Sequence, residues 1–208
     1  MFVVKRSAHN PVLSPLQQHP WEAFAAFNWA PVESEDGRGI HCVYRAISEP
    51  DLVQGNNLHV SSIGYAASSD GVHYTNRSQF IKPEFDWEKY GCEDPRVTRL
   101  NDKYFVFYTA LSVFPFSHEG IKAACAVTRD FKKIDEKHLV TPFNAKAMAL
   151  FPSKINGKIA AVLTVDTDNP KRMAKIALAV FEKESDIWNP AYWDKWYKAL
   201  PNHTLRVR

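Results

Sequence analysis

Residues 91–97 read Gly91, Cys92, Glu93, Asp94, Pro95, Arg96, Val97 and put two carboxylates, a guanidinium and a proline-fixed backbone into one short stretch. A carboxylate beside an arginine is ionised and oriented, whereas one shielded from water and cations can keep a proton at neutral pH. Two adjacent acids in unlike surroundings can therefore divide an acid role from an electrostatic one. The competing reading is a surface Glu-Asp pair in a loop, salt-bridged to Arg96.

What must position this pair is a set of strands. From Trp21 onward, short β-branched and aromatic bursts alternate with turn chemistry, which is strand composition. The bursts repeat. The run from Ala30 to Gly37 followed by Ile40 to Arg45 aligns with Asp94 to Asp102 followed by Tyr104 to Thr109. It aligns again with Phe151 to Gly157 followed by Ile159 to Thr164. Pro31, Pro95 and Pro152 mark this register at intervals of about 60 residues. The later halves align as well: Ile63 to Tyr74 with Ala123 to Ile134 and with Ile176 to Phe181 followed by Asp186 to Trp188, each carrying an aspartate, Asp70, Asp130 or Asp186, where the small-residue strand ends.

Each unit thus reads as four antiparallel strands, and units repeating at this period predict β-propeller blades. The blades are expected at roughly 21–80, 90–140 and 147–195 within a single domain spanning 1–208, with a β-sandwich as the alternative. Three blades do not close a ring, so the chain is expected to be part of a longer one. The tail from Trp193 onward, with Trp196 and Tyr197, is read as the entry to a fourth blade. In this register the siblings of Asp94 are Ala30 and Phe151, and those of Glu93 are Trp29 and Leu150. A blade does not need an acid there, which favours a functional carboxylate.

Composition narrows the classes further. The 208 residues are 45% hydrophobic and 13% aromatic, enough for a substantial core. The net charge of +3 is spread along the chain, with no basic run that suggests a nucleic-acid groove. Three cysteines, Cys42, Cys92 and Cys125, lack C-x-x-C spacing, so neither a disulfide framework nor a zinc site is indicated, and a reducing, cytoplasmic setting is expected. The scattered histidines have no ligand spacing, so no metal is assigned. The N-terminal apolar stretch is too short for a signal-peptide core, and no segment reads as a membrane span.

The stretch from Gly91 to Val97, followed by Tyr104 to Ala110, resembles the signature of glycoside hydrolase family 130, the β-mannoside phosphorylases and β-mannosidases. Asn10 to Leu13, Tyr44 to Ala46, Ser69 to Gly71 and Lys146 to Pro152 resemble further landmarks of that family in order, so the likeness covers residues ~5–160. It implies a five-bladed propeller, here an incomplete arc of about three four-stranded blades; five such units need about 300 residues.

The resemblance also implies that Asp94 supplies the proton to the departing sugar oxygen, through a mannose hydroxyl in the phosphorylases, while phosphate attacks the opposite face and inverts the anomeric carbon. Inorganic phosphate would be a co-substrate, with no other cofactor, and the partners a β-mannoside oligosaccharide and, as a further expectation, a second copy of the chain in a homo-oligomer.

Around Asp94, the cations expected near the axis are Arg45, Arg96 and Lys146, with Glu93 beside them. Tyr44, Tyr108 and Trp29 offer flat faces for pyranose rings, and Asn28 and Asn10 are candidates for hydroxyl binding by resemblance. The sequence departs from the phosphorylases after the third inner strand. Where they carry a His-Arg type pair, this chain has Asp166 and Asp168 and no cation before Lys171. Phosphate wants charge-assisted donors, so these acids could instead activate water for an inverting hydrolase, or form a polar turn. Two further readings are a furanosidase-like five-bladed hydrolase and a non-catalytic carbohydrate-binding arc.

Overall fold

The computed structural model describes residues 3, 5 and 7–205. Eleven strands form three antiparallel sheets. The first holds β1 (Ala25–Glu33), β2 (Ile40–Val53), β3 (Asn56–Ser68) and β4 (Thr75–Ile81), paired in that order. The second holds β5 (Gly91–Leu100), β6 (Lys103–Leu111), β7 (Ile121–Thr128) and β8 (Glu136–Leu139). A single parallel bridge, Ser61 to Gly91, joins it to the first. The third holds β9 (Ala145–Leu150), β10 (Ile159–Val165) and β11 (Lys175–Phe181).

Local chemistry explains the hairpins. Gln54 and Gly55 both adopt positive φ between β2 and β3, as do Asn156 and Gly157 between β9 and β10, the conformation of a tight two-residue turn. The first strands of the three sheets lie side by side, β1 against β5 and β5 against β9. The sheets therefore stack in succession around one line instead of facing each other as a two-layer sandwich. Among the described residues no sheet closes on itself.

The middle sheet is buried on both faces, and β6 shows it residue by residue. Tyr104, Val106 and Tyr108 pack toward Val43 and Ile63 of the first sheet, while Phe105 and Phe107 pack toward Leu163 and Phe181 of the third. Each such side chain contributes about 1.5–3 kcal/mol on burial, so these two interfaces hold the arc together. The first sheet's other face is covered by the N-terminal segment, with Leu13 and Trp21 against Tyr44. Gly64 is required there: a Cβ would lie 2.4 Å from the Tyr44 ring.

Two expectations change in the third unit and one in the register. Among the described residues a helix, and not a strand, comes directly after Asp186 and its turn. Asn189 caps it, accepting from the amides of Ala191 and Tyr192, with Pro190 at the first position. This helix, α1 (Pro190–Lys198), and a short α2 (Leu200–His203) pack on the third sheet. Trp193 is fully buried and Trp196 nearly so, so the tail is core of the third unit and not the entry to another.

The α1 helix also covers the edge of β11: the Tyr192 hydroxyl accepts from the Val180 amide at 3.1 Å and donates to its carbonyl at 2.9 Å. The fourth-strand place is taken up further on, where Thr204 bridges to Ala177 and the Leu205 amide donates to the Ile176 carbonyl. That bridge falls in register with the pairs Gly64–Gln79 and Ala124–Leu139 of the other sheets. None of the helices among the described residues is long and apolar enough to cross a membrane.

Candidate active site

The site begins with one backbone feature repeated three times. In each sheet the first strand carries a bulge against the second: between Phe27 and Ala30 opposite Arg45 and Val43, between Glu93 and Arg96 opposite Thr109 and Phe107, and between Lys146 and Ala149 opposite Thr164 and Val162. The first bulged residue is in the left-handed region every time, Asn28 at φ 49°, Asp94 at φ 51° and Ala147 at φ 53°. Asn and Asp tolerate this conformation better than other residues with a Cβ, and a bulge of this kind bends the strand and re-aims its side chain. Pro95 is the second bulged residue, where a missing N–H interrupts no ladder bond.

The pairing corrects the register read from the sequence. The siblings of Asp94 are Asn28 and Ala147, not Ala30 and Phe151, and those of Glu93 are Phe27 and Lys146, not Trp29 and Leu150. Pro31, Pro95 and Pro152 are not equivalent, because the hairpins differ in length.

The bulges converge four of the expected residues. The Asn28 amide donates from Nδ2 to Asp94 Oδ1 at 2.7 Å, and Arg45 Nη1 reaches the same oxygen at 3.3 Å. Arg45 Nη2 pairs with Glu93 Oε1, and its Nε donates to Ser61 Oγ at 3.1 Å, while Ser61 in turn donates to Glu93 Oε1 at 3.1 Å. The Arg45 guanidinium also sits 5.2 Å from the centre of the Phe27 ring. Burial pushes the Glu93 carboxyl above the ordinary carboxylate range; the Arg45 charge pulls it back, Asp94 pushes it up, and the Ser61 hydrogen bond and the Lys146 charge lower it. Asp94 thus has a donor on one side, a cation on another, and one carboxylate oxygen, Oδ2, with no hydrogen-bond partner among the described residues.

Lys146 stands on the third sheet at the position equivalent to Glu93, its Nζ 2.7 Å from Asp168 Oδ2 with both side chains open to solvent. Arg96 forms no ion pair or hydrogen bond with Asp94 among the described residues. It donates to the Pro95 carbonyl at 2.8 Å and lines a cavity of about 620 Å³ with Asn28, Trp29 and Ala149. A second cleft, of about 590 Å³, runs between Asn10–Leu13 and residues 26–29, so Asn10 and Asn28 share its wall.

Three expected residues lie elsewhere. Tyr44 is fully buried and donates its hydroxyl to Glu22 at 2.8 Å, and Tyr108 is buried and donates to Glu88 at 2.6 Å. Neither presents a face to a ligand. Burial raises both phenols above their usual range. Asp166 is buried and accepts from the Tyr197 hydroxyl at 2.6 Å, with Arg172 at 3.5 Å, so it belongs to the packing of α1 on the third sheet and is not beside Asp94. The carboxylates that hold the tyrosines were not singled out from sequence. They repeat, however: Glu22 with Tyr44 and Arg77, Glu88 with Tyr108 and Lys137, the two cations at equivalent places on β4 and β8. Ser61 was missed too, since a serine on a third strand carries no signal until its partner strand is known.

Known proteins share this chain's sequence pattern and fold. The family model described as beta-1,4-mannooligosaccharide phosphorylase, of glycoside hydrolase family 130, matches residues 5–188. The beta-1,2-mannobiose phosphorylase of Thermoanaerobacter sp. (strain X514) is 35% identical over 168 residues, covering 76% of this chain and 53% of that protein. The 1,2-beta-oligomannan phosphorylase of the same organism is 31% identical over 160 residues, covering 76% of this chain and 52% of that protein. The structure of the beta-1,2-mannobiose phosphorylase from Listeria innocua, in complex with beta-1,2-mannobiose, superposes with a TM-score of 0.67 at 21% identity over 86% of this chain and 62% of that one.

The chain spans about half the length of the curated relatives it matches. Its sheets form an incomplete arc of the five-bladed propeller seen in its structural neighbours. With the Glu93, Asp94, Pro95 and Arg96 run at the bulge of its middle sheet and the match across most of its length, the chain belongs to glycoside hydrolase family 130.

Proposed function

We propose that this chain carries the proton-donating half of a site that cleaves β-mannosidic bonds with inversion, by phosphorolysis. The observation that carries the reading is Asp94, re-aimed by its bulge and fixed by Asn28 and Arg45 with one oxygen free. An oxocarbenium-like transition state needs a proton on the departing oxygen and a nucleophile on the opposite face. Asp94 is aimed to deliver the first from Oδ2, the oxygen that Arg45 does not hold, and Lys146 on the neighbouring sheet draws a phosphate anion to the second.

Support for phosphate over water comes from two sides. Of the two acids read as candidates to activate water, Asp166 is buried against Tyr197 and Asp168 is paired with Lys146, and the two relatives of 35% and 31% identity are named as phosphorylases. The neutral sugar is gripped by the amides of Asn10 and Asn28. Three free, buried cysteines suit a reducing, cytoplasmic compartment.

The test incubates the chain with β-1,2-mannobiose, with and without inorganic phosphate. Mannose 1-phosphate formed only with phosphate is the expected result; free mannose alone would make it a hydrolase, and binding without product a recognition module. A positioned acid contributes ~10²–10⁴-fold, so Asp94→Asn is expected to remove nearly all turnover with the fold intact. Turnover unchanged in that variant would take Asp94 out of the mechanism.

A further inference from the structure

The first sheet holds an aromatic side chain that its packing does not account for. Trp29 is the second residue of the first bulge, and its siblings in the other two sheets are Pro95 and Met148, both buried. Trp29 is instead 42% exposed. Its indole meets Tyr74 edge-on, with ring centres 5.4 Å apart, which fixes its orientation, and it forms a wall of both the 590 Å³ cleft and the 620 Å³ cavity. A large, fixed, solvent-facing ring beside a cleft costs the fold apolar exposure without adding to its core.

The surroundings select a ligand. The 590 Å³ cleft is walled by apolar side chains, Val12, Leu13 and Phe27 among them, and its polar side chains are the amides of Asn10 and Asn28; among the described residues no charged one lines it. Such a wall suits an uncharged molecule with an apolar face and hydroxyls at its rim, which is a pyranose, and it does not suit an anion. Trp29 follows directly on Asn28, whose amide holds the Asp94 carboxylate that faces the departing oxygen. The geometry points to Trp29 as the platform for the leaving-group sugar, which makes it a specificity-determining residue for substrates that carry a second hexose. This rests on the β-mannoside reading above.

Calorimetric titration of the chain with β-1,2-mannobiose and with methyl β-mannoside separates the cases. Trp29→Ala and Trp29→Gln are expected to bind mannobiose about tenfold more weakly, while Trp29→Phe stays within about threefold and methyl β-mannoside binds all four proteins alike. Trp29→Gln decides the matter if the alanine variant does not fold. Unchanged mannobiose binding in the variants overturns the platform and leaves the β-mannoside reading standing. An equal loss for both sugars assigns Trp29 to the other sugar and also overturns the proposal. Absence of mannobiose binding by the unsubstituted chain overturns both readings.

Discussion

Asn28 and Asp94 occupy the same place in successive repeats and are hydrogen-bonded to each other at 2.7 Å, on the adjacent first strands of neighbouring sheets and 66 residues apart in sequence. A bulge that each sheet forms for its own reasons has become, at this interface, a means of fixing a carboxylate. The left-handed backbone aims both side chains at the axis, and the amide removes one of the directions Asp94 could take.

Asn28→Ala should therefore lower turnover without unfolding the protein, because Asn28 itself is exposed. A lost hydrogen bond to a charged group is worth about 1.5 kcal/mol, or roughly tenfold in kcat/KM. Kinetics with mannobiose check this. A change only in the affinity for phosphate would place Asn28 elsewhere in the reaction.

The third member of the set, Ala147, has neither of these side chains and yet holds φ at 53°. It is exposed, and a left-handed alanine is strained by about 1 kcal/mol or more. Ala147→Gly is expected to raise stability by about 0.5 kcal/mol, the relief of strain exceeding the extra entropy of the unfolded glycine. Urea denaturation measures it, and a destabilised variant would mean that the left-handed backbone there is not strained.

These bulges also show where the sequence was readable. The second and third strands were aligned correctly, Arg45 with Thr109 and Thr164, and Ile63 with Ala123 and Ile176. Their apolar runs are long, and a slip of one residue would turn every buried side chain outward. The first strands do not align on their prolines. An extra bulged residue and hairpins of unequal length shift Pro31 and Pro152 away from Pro95, and neither leaves a periodic trace. The helix after the third sheet did leave one: Asn189 before Pro190, then Trp193, Trp196 and Tyr197 at helical spacing. The repeat pattern, which points to a strand at the same place, masks it. Arg45 and Glu93 were named separately, but their pairing depends on which strand of the first sheet reaches the second.

That pairing makes a prediction with a pH dependence. The Glu93 carboxyl is held above the ordinary range chiefly by burial, and Arg45 opposes the shift. A carboxyl whose folded pKa is raised binds its proton more tightly when folded. Its contribution to stability is full below the unfolded value and is lost as pH rises through the folded one. Removing Arg45 widens that window upward. Arg45→Ala should then melt below the unsubstituted chain by a larger margin at pH 7 than at pH 4, and Arg45→Lys should recover only part, since a lysine cannot contact Glu93, Asp94 and Ser61 together. Melting temperatures across that range decide it; an equal margin at both pH values would show that Arg45 acts through packing alone.

The repeated buried acids carry the last prediction. Glu88 is fully buried, 2.6 Å from Lys137 and 2.6 Å from the Tyr108 hydroxyl, and it accepts from the Glu84 amide at 3.0 Å. Taking away one partner of such an acid leaves its charge without compensation, which costs about 3–5 kcal/mol, whereas neutralising both members costs much less. Lys137→Met should therefore destabilise strongly, and Glu88→Gln introduced on top of it should restore a large part of the loss. The same pair of changes at Arg77 and Glu22 should behave alike, because the first sheet repeats the arrangement, with His19 as an additional partner of Glu22 at 2.7 Å. A double-mutant cycle in urea measures the coupling. If the double variant were as unstable as the sum of the single ones, the acid and the cation would be packing neighbours and not a compensated pair.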